Sequence, residues 1–171
     1  VCKEDPAEFV SQTLLEYGFD QPDDEYKSGF FFERNHGMVK VRQKLKDYFN
    51  RNVLFGALVL PHTELRHLGS EALKALKQFL TENEMGIGNK VYFDEGIFES
   101  CHKAMIEIKA LGLEQNEFHL EQNSKAVKGI QIADLCSHCL TTMLRESMGD
   151  LRKTVTIPEY PGYDSKDVDI G

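Results

Sequence analysis

The stretch "NKVYFDEGIFESCHKAMIEIKALGLEQNEFHLEQ", residues 89–122, decides how this chain is read. It opens on an apolar run, Val91–Phe93, that stops at Asp94 and Gly96. A run this short and rich in β-branched and aromatic residues, closed by a turn residue, predicts a strand. Residues 98–111 carry apolar side chains at helical spacing and end at Gly112, so they predict a helix. "EFHLEQ" then alternates Phe118 and Leu120 against His119 and Glu121, the period of a half-buried strand. Strand, helix, strand in this order predicts a βαβ unit with parallel strands.

The pattern extends outward in both directions. Upstream, "VLFGALVLP" (53–61) reads as a buried strand ended by Pro61, followed by a long helix over 63–84. The inward face of that helix is expected to be Leu65, Leu68, Ala72, Leu76 and Phe79. Downstream, a helix runs from the stretch "SKAVKGIQIADLCSHCL" (124–140) to about residue 147. Two helices come first: residues 5–17, capped by Asp5 with Pro6 in the first turn, and "MVKVRQKLKDYFN" (38–50). Phe9, Val10, Thr13, Leu14 and Tyr17 share one face of the first, and Val41, Leu45, Tyr48 and Phe49 point inward on the second. The fold class is therefore α/β, with a mainly parallel sheet covered by helices. Residues 1–150 are expected as a single domain and the Pro- and Gly-rich residues 151–171 as an extended tail.

Composition narrows the setting. Hydrophobic residues at 41% and charged residues at 28% of 171 describe an ordinary globular chain. No apolar run is long enough to cross a bilayer, so no membrane partner is expected. The opening residues are charged almost at once, unlike a leader, and four scattered cysteines do not form a disulfide framework. A cytoplasmic setting follows as the expectation. A net charge of −8 disfavours strong non-specific nucleic-acid binding, and suits either a solvated acidic surface or carboxylates that hold divalent cations.

Within residues 124–140 two signals compete. Cys136 and Cys139 form a C-x-x-C pair, but a zinc site needs a second pair, and Cys2 and Cys101 are solitary. A redox pair sits at a helix N-terminus, whereas this one lies inside a helix. Both cysteines are expected on the apolar side with Ile132, Leu140 and Met143, as buried and inert thiols, with His138 projecting the other way. Asp134 stands on a polar ridge with Gln131, His138, Thr141 and Arg145, which faces either water or a polar site. Asp94, at the carboxyl end of its strand, is either a metal ligand or a turn residue bonding its own backbone. In "DDEYKSG" (23–29), Glu25 and Lys27 share one side if the segment is extended, and Glu33 is a rival carboxylate. Lys40, Lys44 and Arg51 form a basic stripe that reads as a solvated helix face. The remaining histidines lack metal-site spacing, and no phosphate-binding glycine loop or G-x-S-x-G is present.

Taken together, "NSKAVKGIQIADLCSHCL", "DDEYKSG" and "VYFDEG" resemble, in order and spacing, the signature of the domain-of-unknown-function 3800 family. The resemblance spans roughly residues 5–146. It implies a ribonuclease H-like mixed sheet flanked by helices, and a nuclease that hydrolyses phosphodiesters with Mg²⁺ or Mn²⁺. Members usually open with a strand ending in Asp-Glu-Ser-Gly. The present chain is expected to begin just after it and so to lack the first strands. Carried over by the resemblance, Glu25, Asp94 and Asp134 are the catalytic and metal-binding acids. Lys27, Ser124, Gln131 and His138 are candidates for contact with substrate or phosphate, and Asn123 stands where many members have Asp. Two Mg²⁺ ions about 4 Å apart would activate a water and stabilise the leaving oxygen. The alternative is a catalytically inactive module that keeps the fold to bind a protein or a nucleic acid.

Overall fold

The computed structural model describes residues 1–2, 4–21, 24–28, 35–150, 154–157 and 166–169. Glu33 lies outside these, as do parts of the expected tail. Among the described residues the architecture is mixed α/β: five α-helices, a two-stranded parallel sheet and a two-stranded antiparallel pair. Backbone contacts gather in two compact units, one of residues 1–55 and 128–171, the other of residues 56–127.

The first unit holds α1 (Ala7–Glu16), α2 (His36–Asn52) and α5 (Lys128–Ser147), each packed against the other two. Asp5 Oδ1 accepts from the Ala7 N–H, and Asn35 Oδ1 accepts from the Met38 N–H. The two side chains thus satisfy first-turn donors that a helix leaves open. Val10, Leu14, Met38, Val39, Val41, Leu45, Ile132 and Leu135 form the core, with Phe9 stacked on Tyr48 at its margin. The apolar faces expected for α1 and α2 are largely those that pack here. Residues 154–157 (β3) and 166–169 (β4) pair antiparallel, so the segment expected as an extended tail contains a strand pair.

The second unit is the βαβ unit read from residues 89–122. β1 (Lys90–Asp94) pairs in parallel with β2 (Glu117–Gln122), and α4 (Cys101–Ala110) connects them. Ser100 caps α4, its Oγ accepting from the Lys103 N–H. α3 (Leu68–Glu82) packs on α4, and Leu73, Leu80, Ile108 and Leu113 form the core with Phe93, Phe98, Phe118 and Leu120 against them. Phe118 and Leu120 therefore face inward as their alternation predicts. Gly69 admits the close approach of Phe98: a Cβ there would lie 2.5 Å from the Phe98 ring and 3.0 Å from the Ile97 carbonyl oxygen.

Two expectations are corrected. Residues 54–60 form no strand, and Val53 alone makes an antiparallel bridge, to Cys2. Leu54, Phe55, Leu58 and Val59 are 40–67% exposed rather than buried. Apolar composition favours burial but cannot supply the partner that a strand needs for its N–H and C=O groups. The helix expected over 63–84 begins only at Leu68, after a 3-10 turn at His62–His67. Its buried residues are Leu73 and Leu80, and Leu65 is exposed.

Candidate functional site

Residues 24–28 run extended along α5, and successive contacts fall on residues three apart in the helix. Lys128 Nζ donates to the Asp24 carbonyl at 3.3 Å, the Tyr26 N–H donates to Gln131 Oε1 at 2.9 Å, and the Ser28 N–H donates to Asp134 Oδ2 at 2.7 Å. An extended chain repeats every two residues, while helix positions three apart return to nearly the same face. The two periods mesh here at 24, 26 and 28 against 128, 131 and 134. The contacts join segments about a hundred residues apart in the chain.

This alignment sorts the side chains of the segment. Tyr26 and Ser28 are buried, whereas Lys27 is exposed and its Nζ lies 3.2 Å from Glu25 Oε1. Glu25 and Lys27 thus share one side, as the extended reading requires.

Beneath Tyr26 lies a charge that the sequence pattern did not single out. Arg42 of α2 is fully buried. Its Nη1 donates to Tyr26 Oη at 2.5 Å, and its Nη2 reaches His138 Nδ1 at 3.3 Å and Cys139 Sγ at 3.5 Å. A guanidinium only donates, so Tyr26 Oη and His138 Nδ1 both accept from it. The Tyr26 hydroxyl also lies 3.2 Å from Ser28 Oγ, where either oxygen can donate, and His138 Nδ1, as the acceptor, leaves the ring proton to Nε2. Burial pushes the Tyr26 phenol above its ordinary range; the Arg42 charge opposes that rise and Asp134 adds to it. A signal for Arg42 was present: Met38, Val41, Arg42 and Leu45 occupy one helical face, i, i+3, i+4 and i+7.

Gln131 is fully buried, and its Oε1 accepts from the Tyr26 N–H. His138 does not project away from the cysteines' surroundings, because it and Cys139 meet the same guanidinium. Cys136 and Cys139 pack against the core, and burial pushes the Cys136 thiol up to about 12. Asp134 is exposed, and among the described residues its Oδ1 carries no protein hydrogen bond. Asp94 belongs to the second unit, where its Oδ1 accepts from the Glu95 N–H at 3.0 Å in the turn that leads to Gly96. Ser124 lies in a turn before α5, which the Asn123 side chain stabilises by accepting from the Lys125 N–H. Lys44 of the basic stripe is paired with Glu16 of α1.

Among the described residues, no three His, Cys, Asp or Glu side chains converge to hold a metal ion. Mg²⁺ seldom needs such a cage, since it is commonly held by one or two carboxylates, waters and substrate phosphates. Glu25 and Asp134 offer hard oxygens of the right kind for that mode. No described helix is long and apolar enough to cross a membrane. In comparisons with known protein families, curated proteins and solved structures, the chain matches none.

Proposed function

We propose that this chain is a divalent-metal-dependent phosphodiesterase acting on nucleic acid, built on a ribonuclease H-like fold of the kind found in the domain-of-unknown-function 3800 family. One observation carries the reading: the two motif segments meet in space, with the Ser28 N–H on Asp134 Oδ2 and the Tyr26 N–H on Gln131 Oε1. The contacts put a Glu-Tyr-Lys-Ser segment and an Ile-Ala-Asp helix into one polar cluster. Glu25 and Asp134 would hold Mg²⁺ or Mn²⁺, which activates a water and offsets charge on the leaving oxygen. Lys27, exposed on the same side as Glu25, would meet a phosphate oxygen. Asp94, the third acid the resemblance nominates, lies in the second unit with its Oδ1 on the Glu95 N–H.

The test is cleavage of single- and double-stranded DNA and RNA with Mg²⁺ or Mn²⁺, comparing wild type with Asp134→Asn. The variant keeps an oxygen that can accept from Ser28, so the local fold is preserved while the charge is lost. Removing a metal-binding charge is expected to lower metal-dependent cleavage by roughly a hundredfold or more, on the order of 3 kcal/mol of transition-state stabilisation. Equal cleavage by both proteins would sink the proposal.

A second reading is a binding module without catalysis. It is favoured by the Glu25–Lys27 pair, whose charges satisfy each other without a ligand. Metal-independent binding of a nucleic acid that survives Asp134→Asn, with no cleavage, would select it.

A further inference from the structure

We propose that Gln131, Tyr26 and Arg42 are positioning residues that fix the register of residues 24–28 across α5, and thereby present Glu25 and Lys27 together for a cation-bound phosphate. The identity of that ligand rests on the function proposed above; the register does not.

A register must be specified wherever one side of an extended segment is buried, because a slip of one residue exchanges its two sides. Here a slip would expose Tyr26 and Ser28. It would also drive Lys27 or Glu25 into the buried space of Tyr26, and Lys27 would face the Arg42 guanidinium there. Two devices oppose it. Gln131, fully buried on α5, accepts from the Tyr26 N–H, so its carbonyl oxygen marks one position in the segment. Arg42, fully buried on α2, marks the same residue from the other end by donating to Tyr26 Oη.

The cost of burying a guanidinium is high unless its donors are used. Here Nη1 meets Tyr26 Oη, and Nη2 meets His138 Nδ1 and Cys139 Sγ. Tyr26 Oη accepts from Arg42 and shares a hydrogen bond with Ser28 Oγ, while the Ser28 N–H donates to Asp134. The contacts therefore link a buried cation to Asp134 through Tyr26 and Ser28. None of the three positioning residues needs to touch substrate.

The test uses the whole ¹⁵N-labelled chain, with Mn²⁺ alone as the probe. Gln131→Met removes the acceptor at similar volume, Gln131→Glu keeps an acceptor oxygen, and Tyr26→Phe keeps the ring but removes the hydroxyl. In Gln131→Met, amide exchange at Tyr26 and Ser28 is expected to quicken by about fivefold to tenfold, the factor one buried hydrogen bond supports. The remaining amides of α2 and α5 should keep their wild-type rates. Paramagnetic broadening at the Ser28 and Asp134 amides should need about tenfold more Mn²⁺ in Gln131→Met and in Tyr26→Phe. Gln131→Glu should restore both readouts. Should Gln131→Met not fold, Tyr26→Phe carries the comparison.

Unchanged exchange at Tyr26 and Ser28 in both Gln131→Met and Tyr26→Phe would overturn the proposal. So would faster exchange spread evenly over α1, α2 and α5, which marks a merely structural role. Wild type that shows no Mn²⁺ broadening would remove the metal from the function proposed above, and amide exchange would then decide the positioning role by itself.

Discussion

Asp134 and Cys136 stand two residues apart on α5 and meet opposite surroundings. Asp134 is exposed and bonded to Ser28, while Cys136 packs against the core with its thiol pushed up to about 12 by burial, and to a lesser degree by the neighbouring Cys139. Since the thiolate is the reactive form, Cys136 should resist thiol reagents at pH 8 while the exposed Cys101 reacts. Mass spectrometry after brief iodoacetamide treatment checks this, and equal labelling would contradict the packing. The shift also sets a sign for stability. An ordinary thiol titrates near 9.0, so above that pH the unfolded chain releases a proton that the folded chain keeps up to about 12. The Cys136 contribution is present in full below pH 9 and is lost as pH rises through that window. Urea midpoints measured at pH 8 and pH 10 should therefore fall more steeply in wild type than in Cys136→Ala. The inward direction of this pair was legible from periodicity. The fate of Gln131 was not, because an amide on a polar ridge is buried only when another segment lies across it.

At the scale of elements, the successes and failures divide by how local the cause is. α1, α2, α4, α5, β1 and β2 were readable because caps, turn glycines and apolar spacing act within a few residues. Residues 54–60 were not, since nothing in an apolar run states whether a partner strand lies beside it. α3 was readable as a helix, and Leu76 of the expected face packs against the core, but the buried residues are Leu73 and Leu80, and Leu65 is left outside in the 3-10 turn. At Gly69, α3 approaches Phe98 so closely that a Cβ would meet the ring and the Ile97 carbonyl. Gly69→Ala should cost about 1–3 kcal/mol despite alanine's better helix propensity, by overpacking. A urea midpoint at or above wild type would show that the contact relaxes freely.

For the whole molecule, the division into two units has a measurable consequence. Residues 56–127 are contiguous and enclose their own core of Leu73, Leu80, Ile108 and Leu113 with a complete βαβ connection. Such a segment, expressed alone, should unfold cooperatively in urea, though with a small margin given its size. A broad transition without a baseline would mean that its core does not suffice. The first unit is assembled differently, from residues 1–55 and 128–171, so its helices α1 and α2 must find α5 across the intervening chain. The candidate site belongs to this discontinuous unit. That is why its acids could be nominated singly while their arrangement could not be read.

The α/β class, the strand-helix-strand order of residues 89–122 and the inward cysteines of α5 follow from the sequence alone, as does the shared side of Glu25 and Lys27 once their segment is extended. Each follows from a repeat of two or from helical spacing, both imposed by neighbouring backbone geometry. That residues 54–60 stay outside a ladder, that Asp94 lies in one unit while Glu25 and Asp134 belong to the other, and that Gln131 and Arg42 are buried beside Tyr26 comes from the tertiary structure. The physical reason is the same in each case. Whether a polar group is solvated or buried, and whether a strand pairs, depends on what another segment brings to it, and for Gln131 and Asp134 that segment is about a hundred residues away.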